Sequence, residues 1–262
     1  AFYLLKNSKS FFSQAENLLL ETLGLKNFKP KYELSYIVNF STAFRVHRID
    51  AEYFQPAYDE ILRTMSYKYL LWPLRKIFDF SRGIFVPTIF YTEERTERPY
   101  IRIKELTGGV GIDENKIIYI NNDFHEDDRN KLNEDDLVMA IIGDTIGKTN
   151  RIPKGLAGGF CSNNVGRFRI KQDMRNSFLP EYAELYFQSL PFRSQIEKKK
   201  AQTGQPKISD HEINTIQIPQ LPLDVQKEIS LLIKKSYDTR NKAIELLEIT
   251  KKKVEDAIIV NN

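Results

Sequence analysis

The chain has 262 residues and a net charge of +4, with 41% hydrophobic and 28% charged residues. That length holds one large domain or two small ones, with enough apolar content for a sizeable core. A single cysteine, Cys161, excludes an internal disulfide framework and fits a reducing cytoplasm, and no apolar run reaches the roughly 20 residues of a membrane helix. The start, Ala1-Phe2-Tyr3-Leu4-Leu5-Lys6, lacks the basic segment and cleavage site of a signal peptide. It also lacks Met, so the chain reads as a fragment or a processed form.

In chain order, residues 1–24 carry a helical stripe of Leu4, Phe11, Ala15 and Leu18, widened by Leu5, Phe12 and Leu19. Gly24 is placed to end this helix in the left-handed conformation, with Leu25 closing a Schellman contact. Residues 25–66 read as a connector with a helix near Asp50–Met65. The globular part spans residues 67–222. Its strand-like runs are Tyr100–Ile103, Lys116–Ile120, Asp136–Ile142, Val165–Ile170 and Ile213–Ile218, separated by Gly and Asp/Asn turns. Helices are expected at Pro180–Leu190 and Pro191–Lys200. Ser209, ahead of Asp210-His211-Glu212, has the form of a helix N-cap. The mixture argues for an α+β fold with no alternating strand–helix repeat.

Residues 223–262 give the clearest helix. Ile229, Ile233, Tyr237, Ile244, Leu247, Val254 and Ile258 recur by threes, fours and sevens. A single stripe on so long a helix must pair, either with residues 1–24 or with a second chain, and a coiled-coil arm is the natural solution.

Charge is unevenly spread. Thr145–Arg175 holds seven basic residues and one acid, whereas Asp113–Asp136 holds nine acids and three basic residues. Such segregation suits a protein that lays one face on a polyanion and turns the other away.

Catalytic motifs are missing from the sequence. Gly143-Asp-Thr-Ile-Gly147-Lys148-Thr149 has three residues between its glycines where a phosphate loop needs four. Gly108-Gly109-Val110-Gly111 opens no helix, and no Pro-Pro pair supports a methyltransferase loop. His47, His125 and His211 have no metal-ligand spacing. Glu114-Asn115-Lys116 matches half of a nuclease motif and lacks the other half. Cys161 has no nearby histidine and reads as a small buried residue. No catalytic, metal or cofactor site is therefore expected.

What remains is a set of side chains suited to DNA. Arg82, Arg95, Arg102, Arg151, Asn163, Asn164 and Gln205 are types that bond guanine or adenine edges. Lys104, Lys148, Thr149, Lys154 and Lys207 suit phosphate. Tyr91 offers an aromatic face, and Glu94 could accept from cytosine or orient Arg95.

Several segments resemble the DNA-specificity (S) subunits of type I restriction–modification enzymes. Arg98–Leu106 resembles the family's "PYIRIKDL" strand, and Leu132–Lys148 its "L.GDIL....GTIGK" hairpin. Asn163-Asn164 before Arg167–Ile170 resembles its "N…RI" strand. Pro180–Ser189 resembles its "PEYL..YL.S" helix, and Thr203–Leu223 the end of a target-recognition domain. Arg48–Leu62 is similar to the segment entering a second such domain. The usual "G.tp" element is only loosely present at Gly83–Pro87, and there is room for one recognition domain where a full subunit has two.

The resemblance implies a non-catalytic DNA-recognition subunit, with one target-recognition domain at 67–222 and a spacer arm built from 1–24 and 223–262. It implies double-stranded DNA as ligand and methyltransferase and motor–nuclease subunits as partners. Their S-adenosylmethionine and ATP would not belong to this chain. A homodimer, or the second half of a longer chain, would complete a split target. Two other readings stay open: the recognition region of a single-polypeptide restriction–methylation enzyme, and a coiled-coil adaptor that binds protein.

Overall fold

The computed structural model describes residues 1–201 and 204–260, with side chains to residue 256, so Thr203 and the side chain of Ile258 lie outside the described part. Helix α1 (Phe2–Leu23) ends as its sequence suggests. Gly24 takes φ 75°, its N–H reaches the Glu21 carbonyl, and Leu25 N–H bonds Leu20 O at 2.7 Å. A connector follows with a short helix α2 (Phe40–Val46) and then α3 (Pro56–Ser66). Arg48, ion-paired with Asp50 at 2.6 Å, also donates to the carbonyls of Lys199 and Lys200, which ties the connector to the body.

Strand β1 (Leu71–Pro73), helix α4 (Leu74–Ile77) and strand β2 (Phe78–Arg82) come next. Then follow β3 (Tyr91–Thr92), β4 (Pro99–Ile101), β5 (Ile118–Ile120), β6 (Leu137–Ala140), β7 (Thr149–Arg151), β8 (Phe160–Cys161) and β9 (Val165–Ile170). Helices α5 (Pro180–Gln188), α6 (Leu190–Lys199) and α7 (Asp210–Thr215), strand β10 (Gln217–Pro219) and helix α8 (Leu223–Val260) complete the described chain. The main sheet is antiparallel in the order β2-β9-β6-β7. A second sheet runs β3-β5-β4-β8, with β4 and β8 parallel, and β1 pairs with β10. The architecture is mixed helix and sheet, as expected.

One expected strand is mostly helix. Ser209 Oγ accepts from Glu212 N–H at 3.2 Å, and the turn it caps runs through Thr215. The alternation Ile213-Asn-Thr-Ile is overridden, and only Gln217–Pro219 is extended, pairing Ile218 with Trp72. Lys116 likewise closes a 3-10 turn before β5 begins. Strands β1, β2, β3, β7 and β8 are additions to the expected set, although Phe78-Asp79-Phe80-Ser81-Arg82 alternates with a period of two.

The main core joins both helical ends of the chain to the sheet. Ala15, Leu19 and Leu23 of α1, Ile61 and Met65 of α3, Phe168 of β9, Tyr186 of α5, and Ile229 and Ile233 of α8 are buried in one cluster. Farther along the α1–α8 contact, Ser8 and Ser236 are buried together, and each hydroxyl donates to the other's carbonyl at 2.8 Å. Ala243 is buried, but Ile244, Leu247 and Val254 are exposed in the single chain.

Candidate nucleic-acid interface

Pairing in the main sheet brings several loops to one end. Strands β2 and β6 both run antiparallel to β9, so Arg82, at the end of β2, faces Gly166, and Ala140, at the end of β6, faces Val165. The loop after β2, the turn before β9 and the loop after β6 therefore emerge together. Backbone bonds lock them. Gly83 N–H donates to Val165 O at 2.9 Å, Ile84 N–H to Cys161 O at 2.8 Å, and Asn163 N–H to Ile84 O at 3.0 Å. A Cβ on Gly83 would lie 2.2 Å from the Cys161 carbonyl oxygen, so the approach requires glycine. The segment ahead of α7 joins them, with Gly143 N–H bonding Pro206 O at 2.8 Å and Ile208 N–H bonding Ile141 O at 3.2 Å.

Five of the expected residues collect here. Asn163 and Asn164 are exposed at the turn, and Lys207 is exposed on the strap bridged to Ile142. Arg82 is exposed and steered by Asp210, whose carboxylate lies 2.6 Å from the guanidinium. Gln205 is exposed on the same strap. Two apolar side chains that the sequence did not mark as surface groups, Phe85 and Ile89, project from the same loop.

The remaining residues fall elsewhere. Arg95 lines a separate groove with Arg98, Asn122, Lys131 and Gly155, next to exposed Glu94 and Lys154. That groove sits where β8 begins, whereas Asn163 follows the end of β8. Lys148 lies over Gly108, where a Cβ would come within 2.8 Å of the lysine chain, in a cleft shared with Thr145 and Arg193. Lys104 is exposed beside β4.

Four expected contacts are instead engaged with internal partners. Arg102 is held by Glu105 at 2.6 Å and lies over the Tyr91 ring, which itself packs on Tyr100. Thr149 is 0% exposed, and its hydroxyl donates to Gly147 O. Arg151 bonds Glu184 at 3.1 Å and Asp135 at 2.5 Å, with its guanidinium over the ring of Tyr237. Tyr237 donates its hydroxyl to Glu184 in turn. Burial raises the Glu184 carboxyl above its ordinary value, while the adjacent Arg151 charge pulls the other way. Arg102 and Arg151 could reach DNA only by abandoning a buried carboxylate, which costs several kcal/mol.

The separation of charge expected from sequence is partly offset by pairing. Arg169 pairs with Asp136 at 2.7 Å, Arg151 with Asp135, and Arg167 donates to the Arg129 and Lys131 carbonyls. Two ion pairs thus cross between the basic and acidic segments, beside β6, β7 and β9.

Among the described residues no group of His, Cys, Asp or Glu could hold a metal ion, and no helix is long and apolar enough to cross a membrane. Cys161 is buried, with its thiol pushed up to about 12 by burial.

Residues 74–252 match the model of the type I restriction modification DNA specificity domain. The chain belongs to that family. Comparison with curated proteins gives no match. Among solved structures, the type I restriction–modification S subunit of M. genitalium superposes with a TM-score of 0.52 at 17% identity, over 95% of this chain and 55% of that one. The HsdS subunit of Thermoanaerobacter tengcongensis gives 0.48 at 11% identity, over 91% of this chain and 46% of that one. The chain thus spans about half the length of the solved S subunits it matches. The M. genitalium likeness supports the fold, and the family supports a role in DNA specificity.

Proposed function

We propose that this chain reads one half of a split DNA target and directs methyltransferase and restriction subunits to it, without catalysis of its own. The observation that carries the reading is the convergence of Arg82, Asn163, Asn164 and Lys207 on one end of the main sheet, in a chain of the DNA-specificity family. Asn pairs with adenine, Arg with guanine and Lys with phosphate. Backbone locking of the loops means little ordering entropy is lost on binding. In this reading residues 67–222 are the recognition domain, and residues 1–24 and 223–262 form a coiled-coil spacer arm. The exposed Ile244, Leu247 and Val254 would be covered by a second copy, by the other half of a longer chain or by a methyltransferase subunit.

Methylome sequencing of cells with and without the gene tests this. The expected result is loss of adenine methylation at one bipartite motif when the gene is removed. An unchanged methylome would overturn the proposal. Failure to bind duplex DNA at low salt, with methyltransferase present, would favour a protein-binding adaptor.

A further inference from the structure

The loop that follows β2 carries alternating apolar side chains with opposite fates. Val86 is buried, and Ile84 and Phe90 pack against the small core around Tyr100, Ile120 and Phe160. Phe85 and Ile89, between these anchors, are 70% and 80% exposed. Single exposed apolar residues are ordinary. Here, however, the backbone beneath Phe85 is fixed on both sides. Ile84 pairs with Ser162, its carbonyl accepts from Asn163 N–H at 3.0 Å and from the Tyr100 hydroxyl at 2.9 Å, and Val86 anchors the other side. A large flat ring is therefore held outward, one residue from the strand pair that carries Asn163, beside Arg82.

That setting selects the ring's partner. Arg82, Asn163 and Asn164 present exposed hydrogen-bonding groups at this end of the sheet. A hydrophobic protein surface would leave those groups unpaired on docking. The major groove of DNA offers hydrogen-bonding base edges and one apolar feature in the same plane, the 5-methyl group of thymine. We propose that Phe85 is a specificity-determining residue that contacts a thymine methyl group next to the base edges read by Asn163 and Asn164. This rests on the reading that this end of the sheet meets DNA.

The test uses duplexes recovered from a random pool with the intact chain, alone and together with methyltransferase subunits. Each thymidine of the recovered motif is replaced in turn by deoxyuridine, which removes only the methyl group. The unsubstituted protein should lose about fourfold in affinity at one position, the worth of one buried methyl group. Phe85→Ala should bind the thymidine and deoxyuridine duplexes equally there, and Phe85→Leu should keep part of the difference. The dependence of binding on salt should not change, because no phosphate contact is removed. Circular dichroism melting confirms that the exposed substitution leaves the fold intact.

Two results would overturn the assignment while leaving DNA recognition by this face in place. One is a motif with no methyl-sensitive thymine. The other is a methyl sensitivity that survives Phe85→Ala. Equal loss by Phe85→Ala on every sequence, with unstacking of a neighbouring 2-aminopurine by the unsubstituted protein, would make the ring an intercalating wedge and also overturns it. Absence of any recovered motif sinks this assignment and the reading beneath it together.

Discussion

At the scale of single residues, identity and role separate. Arg82 and Arg151 are the same side chain beside strands of the same sheet. One stands exposed at the loop end, and the other is sealed against Glu184, Asp135 and Tyr237. Sequence supplies the guanidinium but not its partner, because Glu184 lies 33 residues away on another element. Glu184→Ala would remove the fully buried carboxylate beside Arg151 and leave Asp135 as its partner, and chemical denaturation should show a loss of about 1.5–3 kcal/mol. Tyr237→Phe removes one hydrogen bond to that carboxylate and should cost about 1.5–3 kcal/mol, the range for bonds to charged groups. Cys161 was legible as a buried residue, and its raised thiol makes a sharper prediction. At neutral pH it should resist a disulfide reagent until the protein unfolds, so labelling should track unfolding. Its value when folded lies above the unfolded one. Its contribution to stability is therefore complete at neutral pH and is lost as pH rises from about 8.5 towards about 12.

At the scale of elements, helices with long stripes and clear caps were legible, and short strands were not. The limits of α8 and the Gly24 stop follow from spacing and turn chemistry alone. The segment 210–219 was harder because two local signals compete there. The Ser209 cap prevailed over the alternating pattern for one and a half turns, and the remaining residues paired with β1. Strands of two or three residues, such as β3 and β7, have too little sequence for any period to emerge. The stripe of α8 was visible, but its division was not: Ile229 and Ile233 are buried within the chain, whereas Leu247 and Val254 are exposed. Substituting Asp at Ile229 or Ile233 should unfold the chain, since a buried unpaired charge costs several kcal/mol. Asp at both Leu247 and Val254 should leave the melting temperature nearly unchanged and abolish self-association or methyltransferase binding in sedimentation or pull-down. Preserved association would place the covering partner on another surface.

At the scale of the whole molecule, the family signature was readable in six ordered motifs, whereas the surface that gathers the candidate DNA contacts was not. Net charge along the sequence pointed to Thr145–Arg175, but folding pairs Arg151 and Arg169 of that segment with Asp135 and Asp136. The loop end of the sheet is assembled from residues 82–89, 141–146, 162–164 and 205–208, brought together by the antiparallel register and by backbone bonds from 141–143 to 206–208. Salt dependence separates the two sets. Lys207→Ala should flatten the slope of log K against log salt by about one unit, whereas Arg151→Met should lower stability and leave the slope unchanged.

The central claim is that this sheet end selects the DNA sequence. Selection of bound sites from random duplexes, by the chain assembled with methyltransferase subunits, tests it most directly when the Asn163→Ala/Asn164→Ala protein is run beside Glu94→Ala/Arg95→Ala. The asparagine variant should relax the half-site at its adenines, at about 1–3 kcal/mol per lost bidentate contact, while the Glu94/Arg95 variant should return the original motif. An unaltered motif from the asparagine variant, with the half-site changed by the Glu94/Arg95 variant, would contradict it and place the reading surface at the Arg95 groove.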